Sequence, residues 1–357
     1  MYFWGVKVHE KYMKRCLYLA KNGLGRTYPN PLVGCVLVYK DKIIGEGWHQ
    51  KAGTAHAEVL AIRSVKNKAL LKKATLYVNL EPCSHYGKTP PCSQLILSQK
   101  IPNVVIGISD PNPVVAGRGI QQLREAGVKV QVGCLTKECL ALNKRFLTFQ
   151  RKKRPYIILK WAQTAAGFIA PETQKQGEPF WITNPYSKQL VHRWRSEEQA
   201  LLVGKHTVLK DNPRLSTRLW HGPNPLRLVI DKELSLLNHP DLHVLDQQQN
   251  SLIFCGVPEA DRPHLQFKQL DFSQEILPAL LKHLYSLEIQ SLIVEGGRNT
   301  LQHFIHQRVW DEARVFTGAA NLSSGIKAPV FSFSSYTQET WSQDRLTVYY
   351  PPKAPTL

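Results

Sequence analysis

EPCSHYGKTPPC, residues 81–92, sets two cysteines nine positions apart, with a His, a Lys and two prolines between them. Thiolates that share a metal more often stand as C-x-x-C. Three readings are open at this point: a metal site with an insertion, a disulfide, or chance. The rest of the chain argues against a disulfide framework. Its seven cysteines, at 16, 35, 83, 92, 134, 139 and 255, are odd in number and scattered. The N-terminal MYFWGVKVHEKYMKR lacks the basic start and long apolar stretch of a secretory leader. A reducing, cytoplasmic setting is the expectation, in which working cysteines are metal-bound thiolates or nucleophiles.

The neighbours of the stretch favour the metal. ATLYVNL (74–80) is an apolar, β-rich run and predicts a buried strand leading into Pro82-Cys83. CSQLILSQ predicts a helix opening at Cys92, with Pro91 in its first turn. HAEVLAIRSV begins another helix and supplies His56 and Glu58. One His and two Cys make three protein ligands, and a catalytic zinc keeps its fourth position for water. Zinc lowers that water's pKa from ~15.7 to about 7. A glutamate two residues from the His can take the proton and pass it to a leaving nitrogen. Both cysteines are expected at helix N-termini, where backbone N–H groups favour thiolate. H-A-E alone is common, and an isolated Pro-Cys is usually packing. The combination is the ligand set of zinc-dependent nucleobase deaminases, H-x-E followed by P-C-x-x-C.

The chain has 357 residues, comfortable for two domains. Residues 7–22 read as a helix, VGCVLVYKDKIIGEGWHQ (33–50) as a hairpin turning near Asp41-Lys42, and NVVIGIS (103–109) as a second buried strand. A helix over about 117–126, a strand VKVQVG and a helix TKECLALNKRFLTFQ complete an α/β layered domain. GRGIQQ (117–122) only partly mimics G-x-G-x-x-G, because Gln122 stands at the sixth position, so its glycines are read as a tight turn. RKKRP (151–155) marks the boundary, giving domains 1–150 and 151–357. The second half alternates again: strands YIILKWA, ALLVG, LRLVID, SLIFCG, SLIVEGG and DEARVFTG, with helices after Asn184-Pro185 and at NTLQHFIHQRVW. Residues 236–250 are polar and read as a variable loop.

Charge divides unevenly. Residues 1–150 carry 22 Lys and Arg against 8 Asp and Glu, and the remainder 24 against 19. A basic first domain suits a phosphorylated substrate or a nucleic acid, but the lysines are dispersed rather than clustered. No run of about 18 apolar residues is present, so no membrane span is expected.

With its C-x8-C spacing, the first domain resembles the bifunctional deaminase/reductase family of riboflavin biosynthesis. YPNPLVGCVLV (28–38), GEGWHQKAGTAHAE (45–58) and SDPNPVVAGRGIQQLREAGV (109–128) match that family's motifs. The resemblance runs along the whole chain and is densest in the first half. It implies a cytidine-deaminase-like domain followed by a dihydrofolate-reductase-like domain. It implies zinc on His56, Cys83 and Cys92, Glu58 as proton shuttle, and a phosphorylated ribosylaminopyrimidine as substrate. Asn30 then matches the base-facing residue of the P-N-P motif, with His85 and Lys88 as the insert's substrate contacts and Lys88 at the phosphate. A C-x8-C spacing speaks against a polynucleotide-acting deaminase, so no nucleic-acid partner is expected. A homo-oligomer is.

In the second half the match is SLIVEGGRNTLQHFI (291–305) and WITNPYSKQLVHRWRSEEQALLVGKHTVLKDNPRLSTR (181–218). The resemblance implies NADPH, held at Ala162, Trp181, Thr207, Asp211 and the Gly297-Arg298-Asn299-Thr300 turn. It implies substrate contacts at Lys160, Arg195, Leu215, Arg218 and Glu295. On residue type alone, a surface ion pair is the default reading of each arginine. Two departures stand out. KWAQTAAG (160–167) puts Ala166 where the family has Asp, and Pro179 stands where the family often has Ser. A deaminase with a degenerate reductase is therefore the alternative reading.

Overall fold

The computed structural model describes residues 2–84, 90–111, 117–173, 175 and 177–352, with side chains from residue 8 onward. It divides into two compact units, Met1–Lys153 and Arg154–Leu357.

The first unit begins with α1 (Tyr2–Lys21), followed by the hairpin β1 (Gly34–Tyr39) and β2 (Lys42–Trp48). The hairpin turns at Lys40 and Asp41, both left-handed at φ 46° and 58°, one residue earlier than expected. Such a pair matches the strand twist of a two-residue turn. Then come α2 (Ala57–Ser64), β3 (Thr75–Leu80), α3 (Cys92–Ser98), β4 (Asn103–Ile108), α4 (Arg118–Glu125) and β5 (Lys129–Val132). The sheet order is β2-β1-β3-β4-β5. The hairpin pairs antiparallel onto β3, and β3, β4 and β5 run parallel. Alternation along each strand feeds two cores. Leu37, Val78 and Ile106 pack with Ala61 of α2, Ile96 of α3 and Leu123 of α4. Val38, Tyr77 and Val105 pack with Met13 and Cys16 of α1 on the other face. Both faces are covered, which is why these strands read as unbroken apolar runs.

One helix was expected over residues 136–150, and two are present: α5 (Thr136–Leu142) and α6 (Lys144–Lys152). The break is Asn143, whose buried amide accepts from Leu32 N at 2.8 Å and donates to Leu32 O at 3.0 Å. With Asn79, which accepts from Gly34 N at 2.7 Å and donates to Leu32 O, it pins the backbone just after the P-N-P turn.

The second unit contains β6 (Tyr156–Thr164), β7 (Phe168–Ala170), α7 (Pro185–Glu197), β8 (Ala200–Gly204), α8 (Lys205–Asp211), β9 (Leu226–Ile230), β10 (Ser251–Cys255) and β11 (Leu265–Gln269). It continues with α9 (Ile276–Ser286), β12 (Ser291–Gly296), α10 (Arg298–His306), β13 (Glu312–Gly318), β14 (Ile326–Lys327), β15 (Ser335–Trp341) and β16 (Asp344–Tyr350). The main sheet runs β11-β10-β9-β8-β12-β6-β13-β16-β15. It is parallel through β13, and β16 and β15 are antiparallel. Again alternate residues diverge. Ile157 and Leu159 pack with Leu280 and Phe304 of α9 and α10, while Ile158 packs with Leu190 and Trp194 of α7. Residues 236–250, expected as a loop, contain two short 3-10 turns at Ser235–Asn238 and His243–Leu245.

Candidate active sites

In the first unit the parallel strands β3 and β4 end at Leu80 and Ile108, and ligand sites in α/β sheets lie beyond such carboxyl ends. Pro82 and Cys83 follow β3 directly. Cys92 opens α3, with Pro91 as its N-cap rather than inside its first turn. His56 caps α2, and Glu58 lies in that helix's first turn. The ligand atoms of His56, Cys83 and Cys92 all lie within 4.8 Å of one another. His56 Nδ1 is 3.3 Å from Cys92 Sγ and 3.6 Å from Cys83 Sγ. Ligand atoms on a tetrahedral zinc with ordinary Zn–S and Zn–N bonds stand about 3.6–3.8 Å apart. Zinc therefore fits this set. Among the described residues no other group of three or more His, Cys, Asp or Glu side chains is placed to hold a metal.

Only one of the two cysteines begins a helix, contrary to expectation. Cys83 sits in the irregular chain after β3. It nonetheless receives a helix N-terminal amide, because Cys92 N donates to its sulfur at 3.3 Å. The hydrogen bond from the Cys92 thiol, against burial, holds Cys83 well below the usual thiol range, and the same bond pushes Cys92 up. The Cys83 sulfur in turn raises His56. Glu58 is 3% exposed, and burial followed by the Cys83 charge pushes its carboxyl up to about 7.

Sequence reasoning missed His49. It is buried, and its ring stands edge-on to His56 with centroids 5.7 Å apart. Its Nδ1 lies 3.2 Å from Ala55 O and its Nε2 3.0 Å from Asn30 Nδ2. A carbonyl requires a donor, so Nδ1 carries the proton and Nε2 accepts from the Asn30 amide. Burial lowers its pKa, which keeps this neutral form. The ring is one of several polar residues in GEGWHQKAGTAHAE, and nothing in the residue types sets it apart. His85 and Lys88 lie outside the described residues.

In the second unit Lys160 lies within β6, Glu295 within β12 and Arg195 on α7. Arg195 on α7 grips Glu295 at the end of β12 through Nε–Oε1 at 2.9 Å and Nη2–Oε2 at 2.6 Å. Its Nη1 donates to Ser216 O at 3.2 Å. This pair is not a surface ion pair, since the two side chains are only 11% and 8% exposed. Burial pushes the Glu295 carboxyl up, but Arg195 and Lys160 outweigh it and hold it down at about 2. Lys160 is itself lowered by burial. Exposed Arg218 is lowered by burial and by the neighbouring charges of Arg195 and Arg214, and Lys188 is lowered by burial and then by the Arg218 charge. Sequence reasoning passed over His192, 2% exposed and pushed down to about 4 by burial, Arg195 and Arg218.

Some of the cofactor candidates are neighbours. A Cβ on Gly204 would meet Thr300 Oγ1 at 2.6 Å, and one on Gly297 would meet Thr207 Oγ1 at 3.2 Å. Thr207, Gly297 and Thr300 are therefore brought together. Gly297 caps α10, whose first turn is Arg298, Asn299 and Thr300, and such a turn offers its amides to a phosphate. This backbone suits the pyrophosphate of a dinucleotide. Trp181 is 53% exposed with Lys188 Nζ 3.2 Å above its ring. Ala162 is half-buried on β6, Leu215 is buried with φ 53°, and Asp211 ends α8. Ala166 lies exposed in the turn between β6 and β7, and Pro179 lies in the irregular segment before Trp181.

These two sites define a zinc-dependent pyrimidine-type deaminase joined to a nicotinamide-dependent reductase. Residues 6–108 match the cytidine and deoxycytidylate deaminase zinc-binding region, and residues 155–324 match the RibD C-terminal domain. The chain is 40% identical to riboflavin biosynthesis protein RibD of Aquifex aeolicus over 90% of its own length and 89% of that protein. Against the Escherichia coli protein of the same name the identity is 36%, over 89% and 84%. The crystal structure of a diaminohydroxyphosphoribosylaminopyrimidine deaminase/5-amino-6-(5-phosphoribosylamino)uracil reductase from Thermotoga maritima superposes with a TM-score of 0.89. That chain is 37% identical, and the match covers 97% of this chain and 99% of that one. The chain belongs to the RibD family of riboflavin biosynthesis proteins. It is a bifunctional enzyme, with a deaminase that takes zinc and a reductase that takes NADPH.

Proposed function

We propose that the chain deaminates 2,5-diamino-6-ribosylamino-4(3H)-pyrimidinone 5′-phosphate and then reduces the ribosyl chain of the product to ribityl. The domains responsible are 1–150 and 151–357. The observation that carries the reading is the convergence of His56, Cys83 and Cys92 beside buried Glu58. These three residues would hold zinc, which supplies hydroxide from water at neutral pH. The Glu58 carboxylate takes the water's proton and returns it to the departing amine. Asn30 spends its NH2 on His49, which leaves its Oδ1 to accept from a pyrimidine N–H. His85 and Lys88 complete the substrate contacts, Lys88 at the phosphate.

In the reductase, NADPH supplies the hydride, and the chain's work is positioning. Arg195 has its fork spent on Glu295 and Ser216, so we assign it to holding Glu295 rather than to a phosphate. Arg218, with Arg214 and Lys188 adding to the cationic field, is the phosphate contact. Lys160, Leu215 and Glu295 line the sugar. Ala162, Trp181, Thr207, Asp211 and the Gly297–Thr300 turn hold the cofactor. That none of the seven cysteines is in a disulfide supports a cytoplasmic setting. The fully exposed run of edge strand β15, Ser335–Thr340, supports a homo-oligomer.

Purified enzyme given the diaminopyrimidine substrate with NADPH is expected to release ammonia and then oxidise NADPH. Supplying the deaminated ribosylaminouracil phosphate alone isolates the second step. Ammonia release without NADPH oxidation on either substrate would favour the degenerate reductase instead.

A further inference from the structure

We propose that Glu81 is a positioning residue of the deaminase centre, fastening α4 against the turn that carries Cys83 and so fixing the spacing of the two thiolates. The inference rests on the zinc reading of His56, Cys83 and Cys92. Glu81 stands two residues before Cys83 and is 4% exposed. Among the described residues it pairs with no cation. Its carboxylate accepts four backbone N–H groups instead: Gly119 at 3.0 Å and Ile120 at 3.2 Å on Oε1, Gly117 at 3.0 Å and Asp110 at 3.1 Å on Oε2. Three of these belong to the N-terminal turn of α4, where orphan donors and the helix dipole favour an anion. A buried carboxylate is stable without a counter-ion only when its lone pairs are filled this way.

The same helix is fastened independently to the other cysteine. Ser93, next to Cys92, donates from Oγ to Gln122 Oε1 of α4 at 2.7 Å. Close packing leaves the joint little slack, since a Cβ at Gly119 would lie 2.2 Å from Pro82 O. Ser93 N donates to Cys83 O at 3.1 Å, which closes the circuit between the two cysteine segments. α4 therefore acts as a brace with one fastening beside each thiolate. Residues that orient metal ligands typically influence metal affinity by about 10–100-fold.

The test is the rate at which zinc leaves the full-length protein in excess chelator, together with the visible spectrum of the cobalt-substituted form. Glu81→Gln keeps the size of the side chain but replaces one accepting oxygen by an NH2 that faces two donors. Gln122→Met removes the bond to Ser93 and leaves Glu81 intact. Zinc release about 10-fold faster in both, with altered cobalt bands and unchanged NADPH oxidation by the second unit, is the expected result. Release at the wild-type rate in both variants, or an unchanged cobalt spectrum with faster release only near the unfolding temperature, overturns the proposal. If Glu81→Gln yields no folded protein, Gln122→Met decides alone, and wild-type release then sinks the idea. Failure of the underlying site looks different: the unmutated protein would bind no zinc, or Cys83→Ser would keep it.

Discussion

At the scale of single residues, one carboxylate and one cation separate binding from chemistry. Glu58→Gln preserves the shape of a 3%-exposed side chain but cannot carry a proton. Zinc content is expected to stay at about one per chain while ammonia release falls by about 10²–10⁴-fold; full turnover in the variant would place the shuttle elsewhere. Arg218→Ala is expected to raise the reductase KM for the phosphorylated substrate and leave the cofactor KM unchanged, because in the proposed site the cation meets the phosphate and not the dinucleotide. Acid sensitivity follows from two groups beside Arg195. His192 is held neutral with its pKa near 4 against an ordinary 6.5, and Glu295 is held ionised with its pKa near 2 against an ordinary 4.5. Both pKa values are depressed, so the unfolded chain binds more protons than the folded one inside each interval. Their stabilisation is complete above pH 6.5 and 4.5 respectively and is lost as pH falls toward 4 and 2. Calorimetry of His192→Asn should show the upper of these two losses removed; a pH profile like that of the unmutated chain would contradict it.

At the scale of elements, function depends on where helices start. His56, Cys92 and Gly297 each stand at a helix N-terminus beside a site, as cap or first residue. The chain marks some of these starts openly. Asn184-Pro185 caps α7, with Asn184 Oδ1 accepting from Ser187 N at 3.0 Å, and α7 delivers both His192 and Arg195. Asn184→Ala is expected to destabilise the second unit by about 1 kcal/mol, read as a lower thermal midpoint. An unchanged midpoint would mean that packing of Leu190, Val191 and Trp194 holds the helix start without its cap. Other element boundaries were not legible. Nothing in TKECLALNKRFLTFQ announces a break at Asn143, because the cause is Leu32, 111 residues away in sequence. Likewise β15 is polar and exposed along nearly its whole length, so it lacks the alternation that identifies a strand.

At the scale of the whole molecule, the two chemistries belong to two units with separate sheets and separate cores. Removing zinc with a chelator is therefore expected to stop ammonia release and leave NADPH oxidation on the deaminated substrate near its full rate. Loss of both activities together would show that the second unit depends on the metal of the first. The sequence by itself determined the class of each half. Spacing of His56, Cys83 and Cys92, and the alternation of apolar runs with helical periods, are local properties carried by neighbouring residues. Tertiary structure alone decided how the groups are used. It placed a helix amide on Cys83, turned Asn30 through His49, spent the Arg195 fork on Glu295, and seated four amides on Glu81. Each of these is a contact between residues that are not neighbours in the chain, from nine to 100 positions apart, and a hydrogen bond depends on distance and direction, which residue type and spacing do not encode.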